Sequence, residues 1–179
     1  MHGVVLTKLK AFVEKNFDEN TWQAILVEAD MPDAVFVPIR MYPDEQLGAI
    51  AAAAVKLSGM PPNELLESFG RFLAPHLKEM YAALIPKSWR TEELLLHVED
   101  TIHRVVRMKN PGAEPPRLQF TSLGDGELQL DYTSKRRMEA LARGIMIGIA
   151  EGYDEALDIT ESPLPDGGTR MHIRVSSAA

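Results

Sequence analysis

The sequence predicts an α+β fold, with a mainly helical N-terminal subdomain and a C-terminal subdomain holding a four-stranded antiparallel sheet and helices. Three observations carry that prediction. Apolar residues recur at helical spacing through the first two-thirds of the chain. Short alternating segments replace them in the last third, and Gly/Asp clusters separate those segments. The 179 residues suggest one domain, residues 1–179, with a helical part over about 1–60 and a sheet-containing part over about 61–179.

The elements follow in order. Residues 4–16 carry Val5, Leu6, Leu9, Phe12 and Val13 at helical spacing, and residues 19–28 form a second helix around Trp22, Ile25 and Leu26. Pro32, Pro38 and Pro43 punctuate the next stretch. Residues 44–57 are helical, rich in alanine, and stop at Gly59. Residues 63–70 start another helix after Pro61-Pro62, with Asn63 as its cap. Residues 71–84 continue helically, with a break or kink expected at Pro75. Thr91 is expected to cap a long helix running to about residue 108. Residues 117–123 and 127–132 read as a hairpin around Gly124-Asp125-Gly126. A helix over 134–150 follows, then a second hairpin of 156–161 and 169–175 around Asp166-Gly167-Gly168.

Composition removes several function classes. There is no cysteine, so disulfides, thiolate zinc sites, iron–sulfur clusters and a cysteine nucleophile are excluded. A net charge of -7 argues against a nucleic-acid partner, which needs a basic face. No apolar run approaches the roughly 18 residues a membrane span requires. No basic region with an apolar run and cleavage site opens the chain, so neither a signal peptide nor a membrane partner is expected, and a cytoplasmic location is. Phosphate-loop, nucleophile-elbow, HExxH and EF-hand patterns are missing, so no enzyme is expected.

Three local features remain. His103 sits at the edge of an apolar stripe formed by Leu95, Val98, Ile102, Val105 and Val106. A neutral imidazole on such a face is either a half-buried surface histidine or a metal ligand. Tyr132-Thr133-Ser134-Lys135-Arg136 places donors at the join of a strand and a helix, with Tyr132 and Ser134 on one strand face. These residues suit sheet packing, a helix cap and a solvated cation, or together an anion site. Lys135, Arg136 and Arg137 would fall in the first turn of the helix, where cations oppose the dipole and a bound anion would relieve them. Pro115-Pro116 gives a helix stop and a rigid entry into the sheet.

In combination these residues resemble the H-NOX family, the haem–nitric oxide/oxygen binding domains, over nearly the whole chain. The opening Met1-His2-Gly3-Val4-Val5, with Leu9 and Phe12-Val13-Glu14, is similar to the family's first helix. Tyr42-Pro43-Asp44-Glu45 and the 64–70 segment ELLESFG are similar to its middle. By that resemblance haem b lies between the two subdomains, and His103 is its iron's axial ligand. Tyr132, Ser134 and Arg136 hold the propionates, and Pro116 presses on the porphyrin. The gas-binding face is expected to draw on Val5, Leu9, Leu73, Leu77, Leu141 and Ile145, which also suit plain core packing at helical spacing.

Oxygen-binding members of the family place a tyrosine at the position matching Leu141, and leucine offers no donor. A hydrogen bond to a charged group contributes roughly 1.5–3 kcal/mol, and nitric oxide binds ferrous haem strongly without one. The resemblance therefore implies a nitric oxide sensor, with carbon monoxide as an incidental ligand. It further implies that nitric oxide weakens the iron–His103 bond, and that a separate histidine kinase or cyclic-di-GMP enzyme takes the signal. An Asp44–Arg136 pair would couple the subdomains. Two other readings stand beside this one: a degenerate haem-free interaction module, and a small hydrolase or haem enzyme using His97, His103 or the glutamates nearby. His2, His76 and His172 have no role assigned by the sequence.

Overall fold

In the computed structural model, which describes residues 2–110, 114–165 and 167–178, the helical spacing of the first part becomes four helices. They are α1 (Gly3–Asn16), α2 (Glu19–Glu28), α3 (Asp44–Ser58) and α4 (Pro62–Met80). Asp18 starts α2 by accepting from the Thr21 amide at 2.6 Å and its hydroxyl at 2.9 Å. Gly59 ends α3 with φ of 69°, the left-handed position that favours glycine. Met1 of the opening motif and Asp166 of the second hairpin loop lie outside the described residues.

The chain divides into two compact units, Met1–Phe69 and Gly70–Ala179. In the first, Leu6, Phe12, Trp22, Ile25, Leu26, Leu47, Ile50 and Phe69 are buried. Phe12 meets Phe69 with ring centroids 5.6 Å apart. Trp22, Phe36 and Tyr42 form an edge-to-face series that anchors the Pro-punctuated segment, where Tyr42 Oη also accepts from the Val37 amide at 2.7 Å.

The second unit is built on four antiparallel strands in the order β1 (Arg117–Gly124), β2 (Glu127–Thr133), β4 (Thr169–Ser177) and β3 (Glu155–Pro163). Asp125 (φ 52°) and Gly126 (φ 76°) make the two-residue turn between β1 and β2, matching the mirror-image turn that suits strand twist. Period-2 alternation sends Leu128, Leu130 and Tyr132 of β2 and Met171 and Ile173 of β4 to one face. There they pack with Leu95 of α5 (Thr91–His97) and Met146 of α7 (Glu139–Glu151). The opposite face is charged, and Arg170 grips Asp131 with two bonds of 2.7 Å.

Asn63, expected as a cap, lies inside α4, which begins at Pro62, and three larger expectations change. First, α4 runs unbroken through Pro75. Proline removes the amide that would bond the Arg71 carbonyl, yet that carbonyl faces α7, where a Cβ on Gly148 would lie only 2.7 Å from it. Gly70 comes as close to α7, 2.4 Å from the Leu141 carbonyl by the same measure. The pairs Gly70–Gly144 and Ala74–Gly148 advance together, so the two helices run parallel with their backbones nearly touching. Packing against α7 therefore holds the register that Pro75 would otherwise break.

Second, the helix expected over 91–108 is interrupted. After α5 comes a π-helical turn, Glu99–His103, before α6 (Arg104–Lys109). The His103 amide bonds the Val98 carbonyl at 3.0 Å, five residues back. Thr101 Oγ1 donates to the His97 carbonyl at 2.6 Å, a side-chain bond that competes with the ordinary helical one. Thr91 is the first helical residue rather than the cap. The N-cap is Arg90, whose amide donates to the Glu93 carboxylate at 2.9 Å.

Third, the helix expected from Ser134 begins at Glu139. The Arg137 amide reaches back to the Ser134 carbonyl at 3.4 Å, and Arg137 takes φ of 50°. Lys135, Arg136 and Arg137 thus occupy a turn ahead of α7. The supposed conflict between their charges and the helix dipole does not exist, so it gives no argument for an anion.

Candidate functional site

His103 ends the π-helical turn with its side chain only 16% exposed. Its Nδ1 lies 2.9 Å from Oε2 of Glu99, and Nε2 has no hydrogen-bond partner among the described residues. Burial pushes the His103 pKa down, and the hydrogen bond and charge of Glu99 only partly restore it. At neutral pH the ring is therefore a neutral imidazole. With the proton on Nδ1 facing the carboxylate, Nε2 keeps an exposed lone pair.

Glu99 is held at both oxygens. Its Oε1 accepts from the Arg107 guanidinium at 2.6 Å. Burial raises the Glu99 carboxyl, but bonds from His103 and Arg107 outweigh it, so the group lies below the usual carboxylate range. A carboxylate behind an imidazole fixes the ring's orientation and tautomer, an arrangement common behind metal-binding histidines. Sequence reasoning missed Glu99 and Arg107. The signal was present as Glu and His four residues apart on one helix, with an arginine four further on.

The second cluster surrounds Tyr132. This side chain is 2% exposed on the inner sheet face, paired across from Leu118 and Thr169. Burial raises the Tyr132 pKa, while hydrogen bonds from Ser134 and the Met138 backbone act against it. Ser134 lies beyond the end of β2 and reaches Tyr132 from the turn rather than from a shared strand face. Ser134 Oγ accepts from the Arg136 amide at 3.2 Å, and the Arg136 guanidinium donates to the Glu114 carbonyl. The turn thus gathers a phenol, a hydroxyl and a forked cation within five residues, a donor set suited to carboxylate groups.

Pro116 is half-buried, immediately before β1. Leu73 and Leu77 lie on α4, and Leu141 and Ile145 on α7, the helix against which the end of α4 beyond Gly70 packs. Leu73 and Leu141 are buried; Leu77 and Ile145 are partly so. Val5, half-buried, and Leu9, buried, belong to α1 in the first unit. Among the described residues the His103 side chain bonds only Glu99, within its own helical segment, and not the Tyr132 cluster. The other histidines have local work. His2 caps α1, His76 bonds the Phe72 carbonyl, His97 stacks on Trp89 with centroids 4.9 Å apart, and His172 lies 3.4 Å from Glu127.

The donor chemistry suits haem: an imidazole with one nitrogen spare for iron, and a basic, hydroxyl-rich turn for two carboxylates. Among the described residues no group of three or more His, Asp or Glu side chains could hold a bare metal ion, and no helix is long and apolar enough to cross a membrane.

Comparison with known proteins places the chain in a family. The Haem-NO-binding family profile matches residues 2–161. An H-NOX protein of Shewanella oneidensis, solved in its Fe(II)NO ligation state, superposes with a TM-score of 0.90 at 21% identity, covering 99% of this chain and 100% of that one. An unliganded Fe(II) H-NOX protein from K. algicida gives a TM-score of 0.88 at 20% identity, covering 99% and 97%. Soluble guanylate cyclase 89Db of Drosophila melanogaster is 24% identical over 98% of this chain, which spans 27% of that protein's length.

Proposed function

The chain belongs to the Haem-NO-binding family, and from that premise we propose that it is a haem b-based nitric oxide sensor held to its iron by His103. The observation that carries this reading is the setting of that imidazole: half-buried, oriented through Nδ1 by Glu99, and unpartnered at Nε2 among the described residues. Haem would supply a ferrous iron able to take the His103 imidazole and a diatomic gas as ligands. Tyr132, Ser134 and Arg136 would take the propionates, with the Tyr132 hydroxyl and the Arg136 guanidinium as donors. Pro116 would stand against the porphyrin edge at the entry to β1.

Gas selectivity rests on what α4 and α7 do not offer. Leu73, Leu77, Leu141 and Ile145 carry no hydrogen-bond donor. Stable oxygen binding is favoured by such a donor, and nitric oxide binding does not depend on one. The structure of the S. oneidensis H-NOX protein in its Fe(II)NO state supports nitric oxide as the gas, and that of an H-NOX domain in an Fe(II)CO state supports carbon monoxide as a second ligand.

The signal would leave through the segment that bears His103. A π-helical turn between two α-helical stretches is one hydrogen-bond register away from ordinary helix. A His103 held by the metal and a His103 released from it would favour different registers, which is the differential affinity a population shift requires. A separate histidine kinase or cyclic-di-GMP enzyme would read the change. The test is an anaerobic absorption spectrum of the ferrous protein with and without nitric oxide, then in air. A Soret band that shifts with nitric oxide and gives no stable oxygenated form is expected. Absence of any Soret band after expression with ample haem refutes the proposal and favours a haem-free interaction module.

A further inference from the structure

Glu99 serves two partners of opposite consequence. One oxygen accepts the Nδ1 proton of His103 at 2.9 Å and the other accepts from Arg107 at 2.6 Å. The carboxylate side chain is 26% exposed and the His103 side chain 16%, so solvent screens their contact only partly. Arg107 is 42% exposed and reaches in from the next turns of helix. Among the described residues these are the only charged groups that contact the Glu99 carboxylate.

Resting on the reading of His103 as the haem ligand, we propose that Glu99 and Arg107 together set the strength of the metal–His103 bond. A carboxylate that draws the Nδ1 proton toward itself increases electron density at Nε2 and makes the imidazole a stronger donor. A guanidinium on the same carboxylate competes for that charge and weakens the effect. Glu99 is thus a positioning residue acting through His103, and Arg107 tempers it. A stronger donor resists displacement by a gas on the opposite face and stabilises oxidised iron. The pair would therefore tune how readily the sensor responds.

The two partners make opposite predictions, which a merely structural role would not. The probe is haem in the intact protein. The readouts are the iron–histidine stretching frequency by resonance Raman of the gas-free ferrous form and the ferric/ferrous midpoint potential. Glu99→Gln keeps the side-chain shape and an acceptor oxygen but removes the charge. It is expected to lower the frequency and raise the potential, with haem lost roughly ten- to a hundredfold faster. Arg107→Ala leaves the carboxylate undivided and is expected to raise the frequency and lower the potential. The double variant should match Glu99→Gln, because Arg107 acts only through Glu99. Should Glu99→Gln fail to fold, the Arg107→Ala shift still decides the question. Unchanged readouts in variants that bind haem, or shifts of one sign in both, overturn this inference alone. A parent that binds no haem overturns the underlying reading and this inference with it.

Discussion

Replacing Gly148 with alanine tests how the second unit is held together. The new Cβ would lie 2.7 Å from the Ala74 Cβ, 2.7 Å from the Arg71 carbonyl oxygen and 3.0 Å from the Arg71 Cα. Carbon atoms pack comfortably at about 3.5–4.0 Å, and two of the three obstacles are backbone that cannot rotate away. Helices α4 and α7 must separate, an overpacking cost of about 1–3 kcal/mol. Alanine's helix propensity over glycine returns about 0.8–1.0 kcal/mol. Gly48→Ala supplies the matched control: Gly48 is an exposed glycine within α3, and a Cβ there meets nothing within 4 Å. It should gain up to about 1 kcal/mol from propensity alone. Subtracting one variant from the other cancels propensity and leaves the packing cost. Thermal unfolding should separate them by several degrees, at about 2–4 °C per kcal/mol for a chain of this size, with Gly148→Ala below the parent and Gly48→Ala above it. A Gly148→Ala protein as stable as Gly48→Ala would refute the close α4–α7 contact.

Leu141→Tyr places a phenolic donor on α7 and should raise oxygen affinity roughly ten- to a hundredfold, from about 1.5–3 kcal/mol per charge-linked hydrogen bond. Failure of the variant to form an oxygenated spectrum would count against Leu141 facing the gas. Arg136→Ala should speed haem loss, measured by transfer to an acceptor protein, by a similar factor, since it removes a charged donor. An unchanged rate would remove Arg136 from the propionate site. Arg170→Gln should lower stability at neutral pH, and the deficit should fade in acid. Asp131 is depressed first by its hydrogen bonds from Arg170, so its contribution is present above its unfolded pKa and lost as pH falls through the lower folded value. A deficit that is constant with pH would contradict that linkage.

The fold was legible where local signals and tertiary packing agree. Asp18, Gly59 and the Asp125-Gly126 turn are each sufficient punctuation, and the observed boundaries of α2, α3 and the first hairpin follow them. Three things depended on information that local pattern does not hold. Pro75 reads as a break, but Gly148 on a distant helix supports the carbonyl it strands. The onset of α7 is delayed because Arg137 adopts left-handed backbone, a choice unmarked by glycine or asparagine. The π-helical turn inserts one residue into a helical stripe, and periodicity over so short a stretch does not register it. Of the candidate site, Tyr132, Ser134 and Arg136 do gather, though through a turn and not along a strand face. Glu99 and Arg107 escaped because charged residues on a helix are usually a solvated face. Only their pairing with His103 distinguishes them.

The proposed bond between His103 and haem iron is open to a single decisive comparison. His103→Gly and the parent are expressed with ample haem and purified without imidazole, and the Soret absorbance per protein is measured before and after imidazole is added. The variant is expected to lose most of its haem and its nitric oxide response, and added imidazole is expected to restore the axial spectrum. Equal haem content and an identical nitric oxide spectrum without imidazole would contradict it.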